Sequence, residues 1–343
     1  MKGLFRTLLK ASRTARKNQR TAVRTLRILA AAAKPPAPAK SRPAKKPARA
    51  KRTVTAPRPA PGRLLDDTFT HLGRTLHYKL YTPIGSARRR LPLLVMLHGC
   101  SQSAADFASG TAMNRLADAH GFLVLYPEQS RAFNVGLCWN WHRPIDQRRS
   151  GEPAFIAALT QHVTTICRAN PARVYIAGIS AGGTAAAIIG AAYPELYAAV
   201  GVHSGLARGS IRTLAGALAA MRNGVDPAAD GGRRTLRLRP TIVFHGDQDR
   251  VVHPSHPRGF LLNLQASRSG AITSRTETGR SAGGRAFTRT RYAAATGGVL
   301  LEDWTVHGAG HAWSGGNAAG SHTDPSGPDA SLAMVRFFLS HKI

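Results

Sequence analysis

The residues Gly178-Ile179-Ser180-Ala181-Gly182 form a G-x-S-x-G pattern, with a serine flanked at two residues' distance by glycines. A serine hydroxyl is a poor nucleophile at its own pKa. It needs a neighbouring base, and the base needs a carboxylate to orient it. Downstream residues supply both, in the order serine, acid, base. Asp249 lies in His245-Gly246-Asp247-Gln248-Asp249, and His311 lies in the glycine-rich stretch 308–316. Asp247 is an alternative acid; Asp249 is preferred because it lies further past the end of the preceding apolar run. His307 and His322 are rival bases, and His311 is preferred for its glycine-rich loop. The third requirement is a pair of donors for the oxyanion that forms when a carbonyl is attacked. The backbone N–H of Ala181 and that of Cys100, in His98-Gly99-Cys100-Ser101-Gln102, are the candidates. One such donor is typically worth about 2.7–4 kcal/mol in the transition state. The chemistry these residues describe is acyl transfer.

These side chains act together only if strand ends carry them. A short apolar strand over 174–177 runs directly into the serine turn, and an Ala-rich helix over 184–192 follows. That is the strand–turn–helix setting of a nucleophile elbow. The glycines relieve a turn too crowded for a Cβ, and the helix turns its positive end toward the serine. Further strands are expected over 91–97, 122–126, 198–202, 241–244 and 299–306, the last of them closing the sheet, with a hairpin over 69–82 centred on Gly73. Helices are expected over 111–120, 154–169 and 329–341. This alternation implies a mostly parallel sheet with helices on both faces, of the α/β-hydrolase type. Its catalytic groups gather at the carboxyl ends of the strands.

The 343 residues carry a formal charge of +31, unevenly spread. Residues 1–63 hold 19 Lys and Arg and no carboxylate, which leaves 29 basic and 17 acidic residues for the rest. The expected organisation is a basic tail and linker over 1–63 and a catalytic domain over 64–343. The tail reads as a loose basic helix over 1–33 and a Pro/Ala/Lys-rich extended linker over 34–62. Such a tail either solubilises or contacts a polyanion, a polymer granule or a membrane surface. It lacks a motif for specific nucleic-acid recognition. No stretch is long and apolar enough to span a membrane, and no clear signal peptide precedes the domain.

Three cysteines are too few for a disulfide scaffold. Cys138, in Gly136-Leu137-Cys138-Trp139-Asn140-Trp141, falls near the expected mouth of the site. A Cys100–Cys138 bridge would pin that segment to the Cys100 loop; two buried thiols are the alternative. Cys167 is expected on a helix facing the core. Trp139, Trp141 and Trp313 fall beside site segments, either as walls of an apolar substrate cleft or as packing.

Taken together, Leu97-His98-Gly99-Cys100-Ser101-Gln102, Cys138-Trp139-Asn140-Trp141, Gly178-Ile179-Ser180-Ala181-Gly182-Gly183, His203-Ser204-Gly205-Leu206, His245-Gly246-x-x-Asp249 and Gly310-His311-x-Trp313 resemble the esterase family of short-chain polyhydroxyalkanoate (poly-3-hydroxybutyrate) depolymerases. That family also includes feruloyl and acetylxylan esterases. The resemblance covers roughly 65–342. It implies an α/β-hydrolase fold, no metal and no cofactor, with Ser180 as nucleophile, Asp249 as acid and His311 as base. Family members are often secreted, which suits a Cys100–Cys138 bridge; with no clear signal peptide, a cytoplasmic location is the alternative. Substrates are then polyester, oligomer or acylated sugar, with a soluble or amorphous ester expected over crystalline polymer. A non-enzymatic polyanion- or granule-binding scaffold is the alternative from another class.

Overall fold

The computed structural model describes residues 62–85, 89–207, 213–224, 238–268 and 270–343. The tail helix and nearly all of the linker expected over 1–62 lie outside the described residues. Ten strands form one sheet: β1 (Arg63–His71), β2 (Arg74–Thr82), β3 (Leu93–Leu97), β4 (Leu123–Pro127), β5 (Val174–Ile179), β6 (Ala199–His203), β7 (Thr241–Gly246), β8 (Ile272–Arg280), β9 (Ala286–Ala294) and β10 (Val299–Val306). Their spatial order is β1-β2-β4-β3-β5-β6-β7-β10-β9-β8. The centre, from β4 through β10, is parallel. The pairs at each edge are antiparallel.

The central strands are apolar throughout because both faces are covered. Along β3, Leu93, Val95 and Leu97 enter one core while Leu94 and Met96 enter the other. Along β5, Val174 and Ile176 oppose Tyr175, Ala177 and Ile179 in the same way. A period of two with two buried faces reads as an unbroken apolar run. Helices α1 (Ala104–Thr111), α2 (Met113–His120) and α7 (Ala330–Leu339) supply the second core. Helices α3 (Gly151–Ile166), α4 (Ala181–Ala192) and α6 (Pro257–Ala266) supply the first. A further helix, α5 (Leu214–Asn223), buries only Ala217.

The departures from expectation have local causes. The hairpin turns on Leu72 and Gly73, both at positive φ (50° and 70°), which makes the two-residue connection whose twist suits antiparallel strands. The helix expected over 111–120 is α2, which starts at Met113, and a further helix absent from the expected elements, α1, precedes it; Ala112, in a left-handed conformation (φ 49°), separates the two. α1 starts after Ser103, whose hydroxyl accepts the Asp106 N–H at 3.1 Å. β10 is not the last strand: β11 (Trp313–Ser314) and β12 (Thr323–Asp324) pair beyond it in a small second sheet. The β8–β9 hairpin, absent from the expected elements, alternates Ser/Thr with Arg and Glu and has no apolar face to betray it. Charged residues on edge strand β8 discourage pairing with other chains. Cys167 ends up just past α3, half-buried against the core.

Candidate active site

Ser180 joins β5 to α4 with φ 57° and ψ −122°, a region that side chains avoid and that costs on the order of 1–3 kcal/mol. The surroundings hold it there. Its N–H donates to the His203 carbonyl at 2.9 Å, and its own carbonyl accepts the Thr184 N–H at 2.9 Å. A Cβ on Gly178 would lie 2.5 Å from the Leu97 carbonyl oxygen, and one on Gly182 would lie 2.2 Å from that oxygen. The two glycines therefore let the start of α4 press against the carboxyl end of β3, which brings the Ser180 turn beside the loop that carries Cys100. Ser101 (φ 63°), Leu137 (φ 56°) and Ser204 (φ 48°) also adopt positive φ in loops at this end of the sheet. Strain of this kind clusters at functional sites.

The loops after β7 and β10 meet by backbone pairing: Asp247 N–H donates to the Val306 carbonyl at 3.2 Å and Gln248 N–H to the Ala309 carbonyl at 3.0 Å. This places Asp249 Oδ2 at 2.7 Å from His311 Nδ1. Asp249 Oδ1 accepts the N–H groups of Val251 and Val252, each at 2.9 Å. Burial alone raises the Asp249 carboxyl, but the His311 and Val252 N–H groups and nearby His245 outweigh it and hold it at about 2. An ionised Asp249 fixes the proton of His311 on Nδ1 and leaves Nε2 as the basic nitrogen. The alternative acid, Asp247, pairs instead with His307 Nδ1 at 2.9 Å. Among the described residues, neither the Ser180 hydroxyl nor His311 Nε2 has a hydrogen-bond partner.

Cys100 and Cys138 are joined by a disulfide. The Ser101 N–H donates to the Gly136 carbonyl at 2.9 Å, a second tie between the same two segments. Gly99 N–H is held by Gln102 Oε1 at 2.9 Å. Among the described residues, no group accepts the N–H of Cys100 or of Ala181, so both donors are unspent.

The tryptophans correct the cleft-wall reading. Trp139 and Trp313 are each 1% exposed and hold the site loops from beneath. Trp139 Nε1–H donates to the His98 carbonyl at 3.0 Å, while Trp313 Nε1–H donates to Ser331 Oγ at 3.0 Å. The Trp313 ring stacks on His203, with centroids 5.1 Å apart. Trp141, 7% exposed, packs with Ala181, Leu206, Val252 and the disulfide. Three histidines at strand ends, His98, His203 and His245, carry side-chain bonds that the sequence motifs containing them do not reveal. His98 Nε2 accepts the Gln129 N–H at 3.0 Å, and His203 Nε2 accepts the Ser314 N–H at 2.9 Å. His245 Nε2–H donates to the Val252 carbonyl at 2.9 Å. Burial, with neighbouring histidines adding to it, pushes His203 down to about 3; burial above all pushes His245 down to about 4. Both are neutral struts around Asp249 and His311. In the sequence they are marked by position, at or next to the last residue of β6 and β7, and by the motifs they open.

An Esterase PHB depolymerase family model matches residues 76–312. The chain is 32% identical over 231 residues to poly(3-hydroxyalkanoate) depolymerase C of Paucimonas lemoignei, covering 64% of this chain and 54% of that protein. It is 28% identical over 193 residues to feruloyl esterase B of Neurospora crassa, covering 51% of this chain and 65% of that one. Thus it spans about half the length of the depolymerase it matches. Among solved structures, an acetyl xylan esterase from Aspergillus awamori superposes with a TM-score of 0.59 at 19% identity, over 73% of this chain and 94% of that chain. That likeness establishes the α/β-hydrolase fold.

Proposed function

Because the chain belongs to the Esterase PHB depolymerase family, we propose that it hydrolyses carboxylic esters through an acyl-enzyme on Ser180. His311 Nε2 takes the Ser180 hydroxyl proton as Oγ attacks the ester carbonyl. The oxyanion accepts the N–H groups of Cys100 and Ala181. As the tetrahedral intermediate collapses, the carbonyl re-forms, the C–O bond to the alcohol breaks, and His311 returns the proton to the departing oxygen. Water, deprotonated by His311, then attacks the acyl-enzyme and the sequence runs in reverse to release the acid and Ser180. Asp249 stays ionised and holds the imidazole in its tautomer. The observation that carries this reading is the 2.7 Å Asp249–His311 bond on loops that follow the Ser180 elbow in chain order.

The substrates we propose are hydroxyalkanoate polyesters and their oligomers, by analogy with the depolymerase relative. The likeness to feruloyl esterase B supports acylated plant cell-wall sugars as the second reading. A panel of hydroxybutyrate oligomers, acetylated xylan and methyl ferulate separates the two. The Cys100–Cys138 bond fits an oxidising compartment outside the cytoplasm. Among the described residues no helix is long and apolar enough to cross a membrane. The central test is Ser180→Ala on p-nitrophenyl butyrate. We expect kcat to fall by about 10⁴-fold or more; a variant that keeps wild-type turnover rules out Ser180 as nucleophile.

A further inference from the structure

Glu152, in the first turn of α3, is 4% exposed and takes no part in the reaction above. A carboxylate so buried needs several donors, and Glu152 has four. Oε1 accepts from Gln129 Nε2 at 2.6 Å, Asn140 Nδ2 at 2.6 Å and Arg74 Nη2 at 3.1 Å. Oε2 accepts the Asn140 backbone N–H at 2.7 Å. Three of these donors belong to residues that reach the Cys100 loop. Gln129 Nε2 also donates to the Cys138 carbonyl at 3.0 Å, and the Gln129 N–H donates to His98 Nε2 at 3.0 Å. Asn140 stands between Trp139, which holds the His98 carbonyl, and Trp141, which packs against Ala181. Asn140 Oδ1 in turn accepts from Asn134 Nδ2 at 2.8 Å, and Asn134 Oδ1 accepts the N–H groups of Gly136 and Cys138.

Resting on the esterase reading, we propose that Glu152 is the positioning residue of the oxyanion donor. It gathers Gln129 and Asn140 and, through His98, Trp139 and the Cys138 bridge, sets where the Cys100 N–H points. The disulfide is one tether on a loop with φ and ψ freedom; the Glu152 cluster adds ties at His98, on the other side of Cys100. The cluster also accounts for the asparagine in Cys138-Trp139-Asn140-Trp141, which bonds Glu152 by both its backbone and its side chain.

The test compares Glu152→Gln with wild type in the full chain, on p-nitrophenyl butyrate and on an alkyl trifluoromethyl ketone, whose adduct with a serine bears an oxyanion. Replacing one carboxylate oxygen by an NH₂ sets a donor against either the Gln129, Asn140 and Arg74 side chains or the Asn140 backbone N–H, at nearly unchanged volume. We expect kcat to fall about 10- to 100-fold, KM to change less than about 3-fold, and the Ki of the ketone to rise in step with the loss in kcat/KM. A merely structural residue would lower the melting temperature without linking Ki to kcat/KM. If Glu152→Gln does not fold, Asn140→Ala is read the same way, with a smaller loss because the Glu152 Oε2 bond to the backbone N–H persists. Unchanged kcat, or a lower kcat with unchanged ketone affinity, overturns the assignment. If wild type neither hydrolyses the ester nor is labelled at Ser180 by a fluorophosphonate, the esterase reading itself falls and this inference with it.

Discussion

Two aspartate–histidine pairs spring from the same two loops, and only one of them is largely buried. Asp249 holds His311 at 2.7 Å and Asp247 holds His307 at 2.9 Å, each through Oδ2 and Nδ1. Through Oδ1, Asp249 also accepts two backbone N–H groups and Asp247 one. In pair geometry the two are alike. They differ in what surrounds them. The side chains of Asp249 and His311 are 0% and 13% exposed, whereas those of Asp247 and His307 are 33% and 41% exposed. Buried histidines flank the first pair, and the Nε2 of His311 is unspent. In the second pair, His307 Nε2 is already bonded to Thr288 Oγ1 at 2.8 Å. An Asp–His bond is thus not by itself enough to mark a catalytic pair; burial and a free Nε2 set the Asp249–His311 pair apart.

The sharpest way to break this contrast is at the aspartates. Asp249→Asn exchanges the acceptor of His311 Nδ1–H for a group that can donate, favouring the wrong tautomer, and we expect kcat to fall about 10⁴-fold. Asp247→Asn touches only the solvent-facing pair. It should leave kcat within about 3-fold while weakening the tie to Gly308, a loss of about 1 kcal/mol. Steady-state kinetics and melts of both variants decide the matter; equal losses of activity would mean that the pairs share the work.

The same contrast shows where sequence reading succeeds. β3, β5, β6 and β7 are legible because two-sided burial writes them as unbroken apolar runs between turn residues. Ser180, Asp249 and His311 are legible because each chemistry-bearing type follows such a run in a fixed order. Asp249, preferred over Asp247 for its distance past the strand end, is the aspartate that pairs with His311. Other features leave no local trace. Nothing in a tryptophan's neighbours in sequence says whether its ring faces a cleft or props a loop, so Trp139 and Trp313 read equally well as walls. The partner of His203 lies in a distant loop, that of His245 is a backbone carbonyl seven residues on, and neither pairing leaves a mark at the histidine itself. The β8–β9 hairpin has no hydrophobic period, and the break at Ala112 depends on a backbone conformation that alanine seldom adopts.

Acid should sharpen the contrast next. His203 and His245, buried on the Asp249 side, fall to about 3 and about 4 from an ordinary 6.5. Between pH 6.5 and about 4 the unfolded chain takes up these protons and the folded one does not, so stability drops as pH falls. Asp249, lowered to about 2 from 3.8, adds its own loss only below about pH 4. Thermal melts should therefore show a declining midpoint from pH 6.5 to 4, before the Asp249 carboxylate is protonated. His98, His142 and His256, also lowered by burial, add to the decline, while Asp303, raised by burial to about 6, opposes it; a midpoint that is flat over that range would mean the buried histidines together are not held neutral inside.

The smallest expected effect tests the idea that a free Nε2 is necessary but not sufficient. Thr288→Val removes the hydroxyl bonded to His307 while keeping the β-branched shape that suits β9. His307 then has the same Nδ1 partner and the same unspent Nε2 as His311. What it lacks is the burial that surrounds the Asp249–His311 pair. Water can reach the half-exposed imidazole in place of the threonine, so the stability cost should be below about 1 kcal/mol, read as a midpoint shift of about 2 °C or less. Ester hydrolysis should match wild type. In a Ser180→Ala background the same change should leave turnover at the level of that single variant. A rise there would show that a freed Asp–His pair activates water unaided, and the distinction between the two pairs would rest on the occupancy of Nε2 alone rather than on the elbow at Ser180.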